Sequence, residues 1–440
     1  MTRRRIATLL LVLAAPAAGA CDGRRSSAGA PAGGPSAPTA GVEAPACADV
    51  RYGGRGRAQL VIASTLPLQG VLGSEALQMT RAIEMALARR GWRAGRYSVG
   101  YQSCDDSTVQ AGGSTPERCE ANGRAFARTR SVIGVIGPMY SSCAASLLPV
   151  VNRATDGALA VISPATTYVG LTHEGAGVAR GDPRRYYPSG RRNYVRVASA
   201  DDVQGAANAV LAGRLGLRRV YALHDGSLYG MGLAAVFRRA AEASGVRVVA
   251  VRAWDPKASG YAGLARAIRR ASAGGVFLGG QQVNNGARLV ADLRAGVGPQ
   301  VRLLAPEGMG PPAALVQRAG RAAEGVTLTM PDIPRAFLSR AGRRFAAAVH
   351  ERTGKDPCCY TMHAAQAADL ALDAIAQSDG TRRSVTDRLF RAQVRGGLLG
   401  SFSFDRNGDI NLRRIFVHQI RHGKLSFFTA ITPSARLVSG

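Results

Sequence analysis

Short apolar runs alternate with longer amphipathic stretches along the chain from Gln59 onward. Leu60–Ala63 has the pattern of a buried strand, and apolar residues then recur at helical spacing from Ala76 to Leu87 before Gly91 ends the stretch. The same alternation predicts strands at 97–101, 132–137 and 158–163 and helices at 117–129 and 143–155. Strands separated by helices of this length are typical of βαβ units built around a parallel sheet.

A second series of the same kind follows. It predicts helices at 201–215, 229–244, 261–272 and 285–295 and strands at 219–224, 246–251, 275–280, 301–306 and 325–330. Three further helices, at 335–351, 360–377 and 384–394, precede a strand-rich tail. We therefore predict an α/β fold of two doubly wound parallel-sheet lobes joined by a multi-crossover hinge, with lobe 1 at 56–198 plus 331–404 and lobe 2 at 199–330 plus 405–440.

The first residues have the pattern of an export signal. Arg3–Arg5 precede the apolar run Ile6–Ala15, and three small residues then precede Cys21, which resembles a bacterial lipoprotein cleavage site. Ordinary secretion with an incidental cysteine is the alternative. Residues 22–55 follow as a predicted disordered tether, since most of them are Ala, Gly, Pro or Ser. We expect an extracytoplasmic protein, anchored to the outer face of the cell membrane through lipidated Cys21 or free in the periplasm.

The formal net charge is +28, from 57 lysine and arginine residues against 29 aspartate and glutamate residues. Lysine occurs only at positions 257, 355 and 424, and the arginines are scattered over most of the predicted helices without dense runs or interleaved aromatic residues. Nucleic-acid-binding proteins concentrate basic residues on one face or in one run. We therefore interpret the charge as a solvated arginine surface and predict no nucleic-acid partner.

Six of the seven cysteines remain once Cys21 is assigned to a lipid, and export permits disulfides among them. Cys104 and Cys119 flank a loop rich in Gly, Ser and Thr and are the favoured pair, with a bridge between Cys119 and Cys143 as the rival. No CxxC pair occurs, and the adjacent Cys358–Cys359 thiols are expected to point apart. A zinc site is therefore not predicted.

Ligands of parallel α/β sheets bind beyond the carboxyl ends of the strands, where helix N-termini offer unpaired N–H groups. The predicted strand ends carry hydroxyls, amides and carboxylates in the stretches STLPLQG, GPMYSSC, SPATT, HDGSLYG, GGQQ and APEG. Ser141 would open a helix whose amides suit an anion, and helix capping alone is the alternative. Thr167 would donate its hydroxyl to the same anion while the Ala165 carbonyl accepts from a cation; a proline-shaped turn is the alternative there.

The motifs GPMYSS, SPATT followed by LT, LHDGSLYGMG and LAPEG occur in this order at strand ends between about Leu60 and Ile420. Together they resemble the branched-chain amino-acid type of periplasmic solute-binding protein, the substrate-capturing subunit of ATP-binding-cassette importers. The resemblance implies the two-lobed type I periplasmic binding protein fold and a small ligand such as an amino acid or amide. It also implies permease and ATPase subunits as partners, no cofactor, no enzymatic activity and a monomeric state.

The resemblance further implies roles for individual residues. Ser141 would hold the ligand α-carboxylate, and the Ala165 carbonyl and Thr167 would grip the α-carboxylate and α-ammonium. Tyr229 would cover the ligand from lobe 2, and Glu307 would supply the counter-charge of the ammonium. The set is coherent because a zwitterion needs donors at one end and an acid at the other. A solvated turn carboxylate is the alternative for Glu307.

Two positions depart from the usual pattern of that family. The first loop, PLQGVLGSEA, lacks an aromatic residue, and Gln69 is its candidate for ligand contact. Gln281 stands where an aromatic residue is frequent, in GGQQ. Both changes predict a more polar pocket. Segment 174–194 is additional, and we expect a surface Ω-loop rather than a lid.

Other stretches that look chemical are interpreted as structural. DRNGD at 405–409 lacks the closing glutamate of a calcium loop, and its Asn-Gly predicts a hairpin turn. Ser163 and His224–Asp225 lack the nucleophile elbow of a hydrolase, which leaves hydrolysis as a remote alternative. The nearer alternative to an importer subunit is a ligand-sensing receptor lipoprotein of the same fold, and the sequence does not separate these two functions.

Overall fold

The computed structural model describes residues 41–439. The predicted signal peptide at 1–21, the lipidation of Cys21 and the first part of the predicted tether lie outside these residues. A six-stranded sheet is built by the first half of the described chain. Its elements are β1 (Leu60–Leu66), α1 (Gly73–Arg89), β2 (Arg93–Ala94), β3 (Tyr97–Asp105), β4 (Ser107–Thr108), β5 (Gly113–Ser114), α2 (Pro116–Arg128), β6 (Val132–Ile136), α3 (Ser141–Asn152), β7 (Ala160–Ser163) and β8 (Tyr194–Arg196).

The strand order in this sheet is β2-β3-β1-β6-β7-β8. All neighbours pair in parallel except β2, which pairs antiparallel with β3, and β4 and β5 form a small pair of their own. Strand β6 is apolar along its length and fully buried, because helices cover both faces of a parallel sheet. We call this sheet and the helices packed on it lobe 1.

The remaining elements of the described chain are α4 (Asp201–Arg214), β9 (Arg219–His224), α5 (Leu228–Ala243), β10 (Arg247–Ala253), α6 (Ala262–Arg270), β11 (Gly275–Gly279), α7 (Ala287–Val297), β12 (Arg302–Pro306), α8 (Pro312–Ala319), β13 (Thr327–Met330), α9 (Arg340–Thr353), α10 (Thr361–Ala376), α11 (Arg382–Phe390), β14 (Gln393–Gly397), β15 (Gly400–Ser403), β16 (Ile415–Arg421), β17 (Lys424–Ile431) and α12 (Ala435–Ser439). A seven-stranded sheet forms the centre of lobe 2, in the order β10-β9-β11-β12-β13-β16-β17. Strands β16 and β17 add to its edge in the antiparallel sense, and the remaining neighbours are parallel.

Helices α9 to α11 pack on lobe 1. Helix α10 buries most of its residues between α1 and the first sheet, and apolar residues of α9 and α11 join the same core. The chain therefore crosses between the lobes in the segments 197–200, 331–339 and 404–414. The predicted α/β fold of two parallel-rich lobes is confirmed. No helix within 41–439 is both long enough and apolar enough to cross a membrane.

The prediction of a disordered tether reaching residue 55 is wrong for its described part. Val42 is buried, its backbone N–H donates to the Gln102 side chain at 2.7 Å, and Arg51 forms a β-bridge with Tyr101. Residues 41–51 therefore pack along β3. Composition misled the prediction because this contact is made largely by backbone groups and one disulfide, which need few apolar side chains.

The favoured disulfide between Cys104 and Cys119 is also wrong. Cys104 is bonded to Cys47, and Cys119 is bonded to Cys143, which was the rival pairing. Cys104 lies on β3, where the strand runs beside the N-terminal segment, whereas Cys119 lies on α2 against α3, which carries Cys143. Packing of neighbouring elements, and not the shortest loop along the chain, selects the partners.

The DRNGD stretch forms the predicted turn, closed by a β-bridge between Phe404 and Ile410. Its last residue, Asp409, accepts from the buried Arg196 side chain at 2.5 Å and lies 3.0 Å from His173 Nδ1. His173 Nε2 lies 3.2 Å from Asp202, in the first turn of α4. We call these four residues the crossover network, because they tie the first and last crossovers together.

Segment 174–194 is anchored by its own polar core. The Tyr186 and Tyr168 hydroxyls both donate to Asp182 at 3.0 Å, and all three residues are buried. Gly177 approaches the backbone of α5 at Gly232, where a Cβ on Gly177 would lie 2.7 Å from a carbonyl oxygen. The segment is thus a packed surface insertion that reaches lobe 2.

Candidate ligand-binding cavity between the lobes

A cavity of about 720 Å³ lies between the lobes, and part of it opens to solvent. Strand ends and helix N-termini of both sheets meet there, together with the loop before α10. The residues that line it are Val71, Leu72, Met139, Tyr140, Ser141, Ala165, Thr167, Tyr229, Gln281, Val283, Glu307, Gly308, Gly310, Pro311, Met330, Pro331, Asp332, Cys359 and Tyr360. The volume suits a small molecule.

Hydroxyls and helix amides form one side of the cavity. Ser141 is the first residue of α3, so free backbone N–H groups at that helix end face the same region. The Ser141 hydroxyl accepts from the backbone N–H groups of Thr167 at 3.4 Å and of Tyr168 at 3.2 Å. This side therefore offers several donors to an anion.

The turn that carries Thr167 is held by hydroxyls behind it. Ser163 donates to the Pro138 carbonyl at 2.9 Å and accepts from the Thr166 N–H at 2.9 Å. The hydroxyls of Thr166 and Tyr194 are hydrogen-bonded to each other. Capping and turn formation, the alternatives for this stretch, thus describe Ser163 and Thr166, whereas Thr167 lines the cavity.

An acidic residue of lobe 2, Glu307, also lines the cavity. Glu307 follows β12, and its Oε1 accepts from the Tyr229 hydroxyl at 3.0 Å. Its Oε2 is buried and, in the described part of the chain, has no hydrogen-bond partner. Burial raises the pKa of Glu307 to about 7, although hydrogen bonds from neighbouring side chains oppose that shift. Glu307 is therefore not the solvated turn carboxylate of the alternative interpretation.

A second buried carboxyl lies near Glu307. Asp201 is completely buried, and neither of its carboxylate oxygens has a partner among the described residues. Burial and then the nearby charge of Glu307 raise the pKa of Asp201 well above its usual value. Its backbone N–H donates to the Thr167 carbonyl at 2.8 Å, so α4 begins directly behind the cavity wall.

Six of the seven residues predicted to contact a ligand line this one cavity: Ser141, Ala165, Thr167, Tyr229, Gln281 and Glu307. Gln69 does not line it. The Gln69 side chain donates to Asp105 at 2.5 Å and its backbone N–H donates to Ser107 at 3.0 Å, which holds the first loop onto the end of β3. Val71 and Leu72 face the cavity from that loop, so this wall is apolar and not polar as expected.

Sequence reasoning missed several lining residues. Asp332 follows β13, a strand end that the same rule would have included, and burial raises the pKa of its carboxyl to about 8. Cys359 and Tyr360 come from the loop between α9 and α10, in the part of the chain that returns to lobe 1 after passing through lobe 2. No strand end or sequence motif marks this loop as part of the cavity.

The lining has an acidic character although the whole chain is strongly basic. Among the described residues, it contains Glu307 and Asp332 but no lysine or arginine. Ser163 and His224, the residues of the hydrolase alternative, are engaged elsewhere: Ser163 in the turn of lobe 1, and His224 Nδ1 with the Gly226 N–H of lobe 2 at 3.2 Å. The fold and cavity define a two-lobed solute-binding protein.

Comparison with known proteins agrees with this class. The model of the family described as periplasmic binding protein matches residues 59–424, so the chain belongs to that family. A leucine-, isoleucine-, valine-, threonine- and alanine-binding protein of Pseudomonas aeruginosa is 23% identical over 270 residues, which cover 61% of this chain and 67% of that protein. The predicted membership of the periplasmic binding protein family is thereby confirmed, and this relative is of the branched-chain amino-acid type.

Solved structures share the fold. The leucine-binding protein of Thermotoga maritima superposes with a TM-score of 0.71 at 22% identity, over 85% of this chain and 99% of the other. A solute-binding protein of an ABC transporter from R. palustris, in complex with benzoate, has a TM-score of 0.67 at 16% identity, over 85% of this chain and 96% of the other. The fold is the type I periplasmic binding protein fold.

Proposed function

We propose that this protein is the extracytoplasmic substrate-binding component of an ABC importer, held at the membrane by a lipid on Cys21, and that it captures a small amino acid between its lobes. The observation that carries the proposal is that one cavity is lined both by the donors at Ser141 and Thr167 and by Glu307, whose buried Oε2 has no hydrogen-bond partner among the described residues. An α-carboxylate fits the first and an α-ammonium fits the second.

The apolar part of the lining accounts for the ligand side chain. It consists of Val71, Leu72, Met139, Val283 and Met330. Burying an aliphatic side chain there contributes roughly 1.5–3 kcal/mol. We therefore infer an aliphatic or small hydroxylated amino acid, in line with the ligands named for the Pseudomonas aeruginosa relative.

An aromatic carboxylate is the second candidate, favoured by the same apolar wall and by the benzoate complex of a structural relative. It would use the donor side and leave Glu307 protonated, which its raised pKa of about 7 permits. It would lack the ammonium that Glu307 is placed to bind.

Isothermal titration calorimetry tests both candidates. Purified protein is titrated at pH 8 and at pH 6 with a panel of amino acids, amides and benzoates, and Ser141→Ala, Glu307→Gln and Gly213→Ala variants are titrated with the best ligand. We expect the first two to lose at least about tenfold in affinity for an amino acid, because each removes a charge-assisted bond. Gly213→Ala is the control, since Gly213 lies outside the cavity lining and a Cβ there meets nothing within 4 Å. No heat from any panel member would contradict the proposal.

A further inference from the structure

A cluster of three metal-binding side chains stands at the rim of the same cavity. One carboxylate oxygen of Glu75 and the Sγ atoms of Cys358 and Cys359 all lie within 4.8 Å of one another. The two thiols therefore do not point apart as the sequence suggested. Both cysteines are free, whereas the other four cysteines of the described chain form disulfides.

The cluster joins two elements that are far apart in the sequence. Glu75 lies in the first turn of α1, and its Oε2 accepts from the Ser74 hydroxyl at 2.8 Å. Gln78, one turn further along α1, accepts through Oε1 from the Cys358 N–H at 3.0 Å and from the Thr361 hydroxyl at 2.6 Å. These outer contacts fix the carboxylate and the cysteine loop relative to each other, as in metal sites whose ligands are oriented from behind.

The donor set selects the kind of ion. Two thiolates and one carboxylate are ligands of borderline-soft divalent cations such as Zn²⁺ and Cd²⁺, and hard cations such as Mg²⁺ prefer oxygen alone. Tetrahedral bonds of about 2.3 Å to sulfur place two thiolates somewhat under 4 Å apart, so sulfur atoms that already lie within 4.8 Å of each other need at most a small contraction. Three protein ligands leave one coordination position open, and one of them, Cys359, lines the cavity.

We propose that Glu75, Cys358 and Cys359 form a binding site for a thiophilic divalent cation of the Zn²⁺ type at the wall of the cavity. Binding replaces the two thiol protons by two metal–sulfur bonds and adds one bond to the carboxylate, so two protons leave for each ion bound. The site is separate from Ser141, Thr167 and Glu307, and it stands whether or not the solute is an amino acid.

A second cluster of one carboxylate and two cysteines shows that a metal site of this kind requires free thiols. Asp106, Cys119 and Cys143 also lie within 4.8 Å of one another, but the two sulfurs are bonded to each other. A disulfide supplies no thiolate, so this group cannot bind the ion in the same way. We therefore do not expect Asp106, Cys119 and Cys143 to bind the cation while their disulfide is intact.

Cd²⁺ is the probe, because cadmium thiolates absorb in the ultraviolet through sulfur-to-metal charge transfer. Protein is isolated anaerobically, stripped with a chelator, kept under a mild reductant and titrated with Cd²⁺, with native mass spectrometry for stoichiometry. We expect one ion for each chain, a charge-transfer band and release of two protons. The double variant Cys358→Ser and Cys359→Ser should lose the band and at least about a hundredfold in affinity.

Glu75→Gln tests the carboxylate. Glu84→Gln on the same helix is the matched control, because the ion pair of Glu84 within the described chain is with exposed Arg51. We expect Glu75→Gln to weaken Cd²⁺ binding by about ten- to a hundredfold and Glu84→Gln to leave it unchanged. Equal melting temperatures without metal show that the variants are folded. Retained binding in the double cysteine variant, equal affinities of the two glutamate variants, or a Cys358–Cys359 disulfide in the anaerobic protein would each overturn the proposal.

Discussion

The pH dependence of ligand binding follows from the burial of Glu307. Its pKa is about 7 in the free protein because burial disfavours the charged carboxylate. An α-ammonium beside Oε2 stabilises the charged form, and an opposite charge at that range lowers a carboxyl pKa by roughly 1–3 units. Amino-acid binding therefore expels the proton of Glu307 when the pH is below 7.

The size of the effect comes from the two pKa values. If the pKa falls by about two units on binding, to about 5, the dissociation constant at pH 5 is about fiftyfold higher than at pH 8. The change is steepest between pH 7 and pH 5. An aromatic carboxylate gives the opposite sign, because an anion without an ammonium binds better when Glu307 is neutral.

Calorimetric titrations from pH 5 to pH 8, repeated in buffers of different ionisation heat, measure both the affinity and the number of protons released. Glu307→Gln should bind weakly with a flat profile in this range, because the group that titrates is gone. Asp201→Asn is the control for the neighbouring carboxyl, and it should keep the slope. A flat profile in the unmodified protein would refute the assignment of Glu307 as the ammonium partner, and affinity that rises on acidification would identify the aromatic class.

Three further predictions concern stability and cavity shape. Burial opposes the charge on His173, but its two carboxylate partners outweigh burial and raise its pKa to about 9. His173→Asn should therefore lower the free energy of unfolding by about 3 kcal/mol below pH 6.5 and by almost nothing above pH 9, as measured by urea unfolding. Replacing Cys119 and Cys143 by serine removes a disulfide that closes a loop with a sequence separation of 24. The free energy of unfolding should fall by about 3–4 kcal/mol, and thermal melts with and without reductant measure the loss. Gly308→Ala would place a Cβ 2.7 Å from a backbone oxygen and should weaken ligand binding, whereas Gly213→Ala, with nothing within 4 Å, should leave calorimetric affinity unchanged.

The sign of the His173 prediction follows from linkage. A group whose pKa is raised by folding stabilises the folded state while it is charged in that state, below the folded pKa. The contribution is complete below the unfolded value near 6.5 and disappears as the pH rises through 9. Destabilisation of the variant that grows with pH would contradict the crossover network as described.

The alternation of apolar and amphipathic segments was enough to predict an α/β fold with two parallel-rich sheets. It succeeds because parallel strands are buried on both faces, which requires short continuous apolar runs, whereas their helices bury one face, which requires apolar residues at helical spacing. The two kinds of element can therefore be told apart in the sequence. The strand-end rule then located Ser141, Thr167 and Glu307, since carboxyl ends of neighbouring strands share one edge of a sheet.

Contacts that depend on packing between distant segments could not be predicted. Gln69 sits in the correct loop, but its amide is used by Asp105, and the apolar Val71 and Leu72 face the cavity instead. Cys104 is bonded to Cys47 because residues 41–51, whose composition gives no sign of structure, pair with β3. In both cases the contact depends on a residue that is distant in the sequence, which a short stretch of sequence does not reveal.

The net charge of +28 has little bearing on the cavity, because none of the arginines within residues 41–439 lines it. Buried Arg196 is paired with Asp409, whose pKa is held well below its usual value despite burial, and buried Arg382 donates to backbone carbonyls at the end of α2. Exposed arginines are screened within about 8–10 Å at physiological salt. Asp332, with a pKa of about 8, is mostly protonated at neutral pH. The field that a solute meets is therefore set by Glu307 and the amides of α3, which favours a positive group beside Glu307 within a strongly basic protein.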